Sequence, residues 1–270
     1  MRPAQIERGW MGAIPYAAVG AGQPLVLLAG LSPVAGVAGD GFVRSVLAPV
    51  GPLARRRRLV VLNRWAGQPP GLTMSDLAAW HADAIRGHLD LPVDVAGVST
   101  GGSIAQQLAA DHPDIVQRLA LVSTACRLGP AGRELQARVA ALLRAGSTRQ
   151  AVAVAAGGIT PAGVRTLARA AGWAAAHRVI TGPAAAADLI ATIGAEDGFD
   201  LAACEHPIRA RTLIIAGGRD RYYSPGLFEE TAALIPRSQL QLYPGRGHIT
   251  VTRDRRATAN LAGFLAARAS

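Results

Sequence analysis

Apolar residues follow two different rhythms along this chain. Short, almost continuous apolar runs recur as AIPYAAV (13–19), PLVLLAG (24–30), RLVVLN (58–63), VDVAGV (93–98), RLALVS (118–123), RTLIIAG (211–217) and LQLYPG (240–245). Runs this short and this apolar fit strands covered on both faces, as in a parallel sheet. Between them lie longer stretches with a helical repeat. In SDLAAWHADAIRGHLD, Leu77, Trp80, Ala84 and Ile85 fall on one side, and Ser75 stands where an N-cap belongs. A second helix is expected in SIAQQLAADHP, ending before Pro113. Alternation of strand and helix predicts an α/β fold with a mostly parallel, doubly wound sheet.

The rhythm breaks after Cys126. From there to about Glu205 no strand pattern stands out, and RELQARVAALLRA, AGVRTLARAAGWAAAHRVI and AAAADLIATIGA read as helices. Gly157–Gly158, Pro161 and Gly182–Pro183 punctuate them. The pattern predicts a core of residues 1–126 and 206–270, with a helical cap over 127–205 inserted between late strands. Extension of the core helices is the alternative for the same stretch.

Half of the 270 residues are apolar, which suits one large buried core and argues against disorder. The net charge of +10 comes entirely from arginine, since the chain has no lysine. These arginines are scattered apart from Arg55–Arg58, which reads as a solvated loop beside a strand. Without aromatic–basic interleaving or a zinc or helix-turn-helix pattern, neither nucleic acid nor a membrane is an expected partner. Cys126 and Cys204 are far apart and not spaced for metal, so free thiols in a reducing compartment are expected. MRPAQIERGWMGAIPY lacks the apolar core of a secretory leader, and PLVLLAGL is too short to span a bilayer. A cytoplasmic location is the expectation.

Candidate chemistry centres on Gly97-Val98-Ser99-Thr100-Gly101, a G-x-S-x-G pattern with a strand before it and a helix after it. A serine hydroxyl needs a base. Of six histidines, His81, His88 and His112 fall on or at the end of helices, His177 lies in the cap, and His206 precedes a strand. His248 alone sits in a glycine-flanked loop after the last strand. Asp220, in the GGRD turn after RTLIIAG, can supply the carboxylate that orients an imidazole. Each residue alone has an ordinary structural explanation. Together they follow predicted strands in the order Ser, Asp, His, as a triad on one sheet edge requires.

From about Ile14 onward the chain resembles the α/β-hydrolase superfamily, in its serine-nucleophile, esterase- and lactonase-like branch. AIPYAAVGAGQPLVLLAGLSP is similar to the opening hairpin and third strand, VAGVSTGG to the nucleophile turn, IIAGGRDRYYSP to the acid turn and PGRGHIT to the histidine loop. The resemblance implies Ser99 as nucleophile, His248 as general base and then acid, and Asp220 as orienting carboxylate. It implies an oxyanion hole from the backbone N–H groups of Leu31 and Thr100. Two departures stand out: Ala29-Gly30 replaces the usual His-Gly, and NRWAGQPPG replaces the usual Gly-x-Gly loop, so Arg64 and Trp65 shape the pocket mouth. The implied activity is hydrolysis of an ester, lactone or thioester, with no metal or cofactor, and the alanine-rich helices of the cap point to a small or medium-sized, largely apolar substrate. Acyl transfer, cyclisation, lyase chemistry and carbon–carbon hydrolysis use the same pocket. A non-catalytic small-molecule receptor is the reading from another class, and no oligomeric state is implied.

Overall fold

A computed structural model describes residues 5–266 of the chain. Part of the leader reading, over residues 1–4, therefore lies outside the described residues. Eight strands form one sheet: β1 (Glu7–Met11), β2 (Ile14–Val19), β3 (Gln23–Leu28), β4 (Arg57–Leu62), β5 (Val93–Val98), β6 (Val116–Val122), β7 (Arg211–Gly217) and β8 (Ser238–Tyr243). Their order is β1-β2-β4-β3-β5-β6-β7-β8. β1 pairs antiparallel with β2, and β2 with β4; every later pairing is parallel. The mostly parallel doubly wound sheet expected from the apolar runs is thus the architecture. β1 is the strand the pattern misses: ERGWM is largely exposed and carries no apolar run.

Core helices cover both faces of the sheet. α1 (Asp40–Leu47) and α9 (Arg255–Ala266) pack on one side through Val43, Leu47, Ala257, Leu261 and Leu265. α2 (Met74–His88), α3 (Thr100–Asp111) and α8 (Pro225–Leu234) lie on the other, where Leu77, Ile85, Leu108 and Phe228 join the larger core. The start of α2 corrects the sequence reading. Thr73, not Ser75, is the N-cap: its hydroxyl accepts from the Asp76 N–H, and Asp76 reaches back to the Thr73 N–H. Ser75 lies inside the helix and donates to Asp111.

The arginine run is also corrected. Arg55 and Arg56 face solvent, but Arg57 is buried within β4 and Arg58 pairs with Glu7. Arg57 and Arg118 both bind the fully buried Asp94 carboxylate, at 2.7 and 2.6 Å. Further N–H groups reach the Leu265 and Phe264 carbonyls at the end of α9, and Arg57 also donates to the Gln23 and Pro24 carbonyls of β3. This charged knot pins the amino ends of β4, β5 and β6, at the edge opposite the candidate site.

Four helices enter between β6 and β7: α4 (Pro130–Arg144), α5 (Thr148–Ile159), α6 (Arg165–Val179) and α7 (Pro183–Asp197). α5 is an addition to the sequence reading, because Gly157–Gly158 lie inside it rather than ending it. Packing of an apolar face outweighs the weak helix propensity of glycine here. Val139, Leu143, Val154, Ile180, Leu189 and Ile193 form a core of their own, and Leu31 of the β3 loop packs against it. No described helix is long and apolar enough to cross a membrane. Cys126 and Cys204 are free thiols.

Candidate active site

The carboxyl ends of β3, β4, β5, β7 and β8 bring together most of the residues singled out in the sequence. Ser99 occupies the turn between β5 and α3 with φ +53° and ψ −128°, a backbone conformation that costs a non-glycine residue roughly 1–3 kcal/mol. Its neighbours show why the turn needs glycine. A Cβ on Gly97 would lie 2.4 Å from the Gly101 carbonyl oxygen, and one on Gly101 would lie 2.2 Å from that of Leu28. The turn is locked by the Ser99 N–H donating to Val122 O and by Gly102 N–H donating to Ser99 O. The Ser99 side chain stays half-buried and reachable.

The Ser99 hydroxyl lies 3.0 Å from Nε2 of His248, and Nδ1 of His248 lies 2.8 Å from Oδ2 of Asp220. The Asp220 side chain is fully buried and that of His248 nearly so. A carboxylate only accepts, so Nδ1 carries the proton and Nε2 is left to accept from the serine. The other Asp220 oxygen takes the Tyr222 N–H at 2.8 Å, which fixes the carboxylate plane. The His248 carbonyl accepts from the Ser123 hydroxyl at 2.7 Å, and Ser123 itself has φ +51°. Tyr222 and Tyr223 flank the imidazole, with ring centroids 4.8 and 6.0 Å away.

Thr100 follows Ser99 within the nucleophile turn, and Leu31 lies in the loop after β3. Among the described residues neither backbone N–H donates to a protein acceptor, which leaves both for a ligand. Thr100 opens α3, where the helix dipole favours negative charge. Arg64 lines a small cavity with Gly30, Leu31 and Thr100. Trp65 is separated from it and packs edge-on against Trp80, with centroids 4.6 Å apart.

Glu196, near the end of α7, is the residue sequence reasoning misses. Its buried carboxylate accepts from Thr100 Oγ1 (2.6 Å), Gln136 Nε2 (2.8 Å), Tyr223 OH (3.3 Å) and Ser103 Oγ (3.4 Å). Burial pushes its pKa above the usual carboxylate range, and the Thr100, Gln136 and Tyr223 bonds oppose that rise. It ties α7 and α4 to the nucleophile turn and the acid turn. A lone glutamate in an alanine-rich helix carries a weak signal, its rarity there.

The other histidines stay apart from the nucleophile. His81 is buried in α2 with Nδ1 2.7 Å from the Leu77 carbonyl, and burial lowers its pKa. His88 bonds the Ala84 carbonyl, His112 lies against Arg86, His177 accepts from Arg149, and His206 is exposed beside Glu205. Among the described residues no cluster of side chains could hold a metal ion.

The family model described as serine aminopeptidase, S33, matches residues 70–255, well over half of the chain. The chain belongs to this α/β-hydrolase family. Among curated relatives of this hydrolase, the pimeloyl-[acyl-carrier protein] methyl ester esterase of Chromobacterium violaceum is 49% identical over 61 residues. That match takes in 23% of this chain and 24% of the esterase, so the hydrolase matches only about a quarter of the relative's length. A segment of polyketide synthase ThaQ from Burkholderia thailandensis is 31% identical over 249 residues, covering 85% of this chain and 11% of the synthase. Among solved structures, the enol-lactonase of Burkholderia xenovorans LB400 superposes with a TM-score of 0.74 at 22% identity, over 97% of this chain and 100% of that one. This last likeness concerns the fold.

Proposed function

We propose that the protein is a serine hydrolase that cleaves an ester, lactone or thioester through an acyl-Ser99 intermediate. The observation that carries this reading is the unbroken line from the Ser99 hydroxyl through His248 to Asp220. His248 takes the serine proton as Oγ attacks the carbonyl carbon, and Asp220 stabilises the imidazolium. The tetrahedral oxyanion is held by the Leu31 and Thr100 N–H groups, each donor worth roughly 3 kcal/mol in the transition state. His248 then returns the proton to the leaving group, and water, deprotonated by the same imidazole, releases the acid.

Residues 127–205 act as a cap that shapes the acyl pocket. The contacts of Glu196 with Thr100 and of the insertion core with Leu31 support that role. Likeness to an acyl-carrier methyl ester esterase favours an ester among the three acyl donors. Transfer of the same acyl group to an acceptor other than water is a second reading, favoured by the likeness to a polyketide synthase segment.

A fluorophosphonate probe tests the central claim. The folded wild-type protein is expected to label once, with labelling lost in Ser99→Ala. A folded wild type that does not label, or label that persists in Ser99→Ala, refutes the acyl-serine mechanism.

A further inference from the structure

Arg64 follows β4 on the same edge of the sheet as Ser99, and only 6% of it is exposed. Its guanidinium forms no hydrogen bond with any described residue, and Nε and Nη2 are both enclosed without a partner. Asp188 lends it an opposite charge but no acceptor. Both Asp188 oxygens are turned onto backbone, accepting from the N–H groups of Gly67 at 3.0 Å and Gln68 at 2.8 Å. Burial draws the guanidinium pKa down to about 10, with Asp188 acting against that shift, so the group remains a cation at neutral pH.

The surrounding side chains offer no relief. Arg64 lines a cavity of about 20 Å³ with Gly30, Leu31, Thr100, His81 and Thr192, the space of about one water, so a carboxylate that reaches the guanidinium must widen it. The Thr192 hydroxyl is turned to the Gln68 amide oxygen and the Asp188 carbonyl, and neither the Asn63 amide oxygen nor a His81 ring nitrogen, both on the wall, is within hydrogen-bond distance of the guanidinium. Nε–H and Nη2–H lie along one edge of a guanidinium, spaced to match the two oxygens of a carboxylate. An unpaired buried cation disfavours folding, so a protein that keeps one gains from what binds it.

We infer that Arg64 is the recognition site for a carboxylate carried on the acyl half of the substrate. The edge of its guanidinium takes the carboxylate in two parallel hydrogen bonds. Leu31 and Thr100 bound the same cavity, so the carboxylate lies a short chain away from the carbonyl that Ser99 attacks. The substrate class is then the half-ester, lactone or thioester of a short dicarboxylic acid, which narrows the expectation of a largely apolar substrate. This assignment rests on the serine-hydrolase reading for its chemistry but not for its binding.

The test compares monoethyl esters of the dicarboxylic acids from malonate to pimelate with neutral ethyl esters of matched chain length. At one or more lengths the wild type is expected to favour the half-ester at least about tenfold in kcat/KM, the order of discrimination a charged hydrogen-bonded pair supplies. Arg64→Gln should bring that ratio close to one, and Arg64→Lys, which keeps the charge without the fork, should retain part of it. Calorimetry on Ser99→Ala, with and without Arg64→Gln, reads binding of the same half-esters without turnover. Arg64→Gln should melt at or above the wild-type temperature, because it removes an unpaired charge. No half-ester preference at any length, equal loss on both ester classes in Arg64→Gln, or a much lower melting temperature would overturn the assignment. If no ester is hydrolysed yet Ser99→Ala shows Arg64-dependent binding, the hydrolase reading falls and this site stands. If neutral esters turn over without any Arg64-dependent preference, the reverse holds.

Discussion

Replacing Glu196 with alanine removes the acceptor on which four buried donors converge. The two shortest bonds, from Thr100 Oγ1 at 2.6 Å and Gln136 Nε2 at 2.8 Å, would leave their donors unpaired in the interior. Each such group costs roughly 1–3 kcal/mol, so Glu196→Ala should destabilise the protein by about 2–6 kcal/mol, a large share of an ordinary domain's stability. Glu196→Gln should cost far less, about 1 kcal/mol. The Gln136 carbonyl oxygen is buried without a partner, so a flip of that amide lets it accept from the new NH₂ group. The two variants also separate charge from shape. Burial raises the Glu196 pKa above the ordinary glutamate value of 4.5. The folded state therefore holds the proton more tightly than the unfolded state. The resulting stability is fully present below 4.5 and is lost as pH rises through the folded pKa. Urea unfolding of wild type and Glu196→Gln from about pH 4 to about pH 8 measures this directly. The wild-type advantage over Glu196→Gln should shrink across that range. A difference that stays flat, or that grows with pH, refutes the claim that burial dominates this carboxyl.

Two further outcomes test how the fold holds the site. Asp94→Ala leaves Arg57 and Arg118 facing each other without their shared carboxylate, and urea unfolding should show a loss of about 3–5 kcal/mol. Because this knot lies at the far edge of the sheet, fluorophosphonate labelling of the remaining folded protein should persist. Gly101→Ala sets a methyl against the Leu28 carbonyl oxygen at 2.2 Å, so the nucleophile turn must open. Labelling should fall sharply in that variant, even at temperatures where circular dichroism shows it folded.

What the sequence could reveal depended on how local the cause was. Six of the eight strands are buried on both faces, or nearly so, and write themselves as apolar runs, and β8, a half-buried edge strand, still shows a short one. β1 is an exposed edge strand whose partners are backbone atoms of β2, so its residues are free to be charged. α5 escapes a reading by propensity because its stability comes from contact with α4 and α6, which no local pattern records. Thr73 and Ser75 differ by two positions, and only the reciprocal bond with Asp76 tells the cap from a helix residue. Ser99, Asp220 and His248 are legible because each lies in short turn chemistry immediately after a strand, and parallel strands deliver such turns to one edge.

The buried charges around Ser99 were not legible, and for a common reason. Glu196 meets Thr100 across 96 positions, and Asp188 meets Gln68 across 120, so neither partnership leaves a mark nearby in the chain. Their environments, once visible, point in opposite directions. Glu196 is surrounded by four donors, from α3, α4 and the acid turn, which is complete satisfaction for an ion that can only accept. Such a group is held by the architecture, and it fixes the insertion onto the nucleophile turn. Arg64 is equally enclosed and can only donate, yet the one carboxylate that influences it has given both oxygens to the backbone. Burial alone would make these two residues alike. Their difference in satisfaction is what assigns one to holding the site together and the other to recognising what enters it.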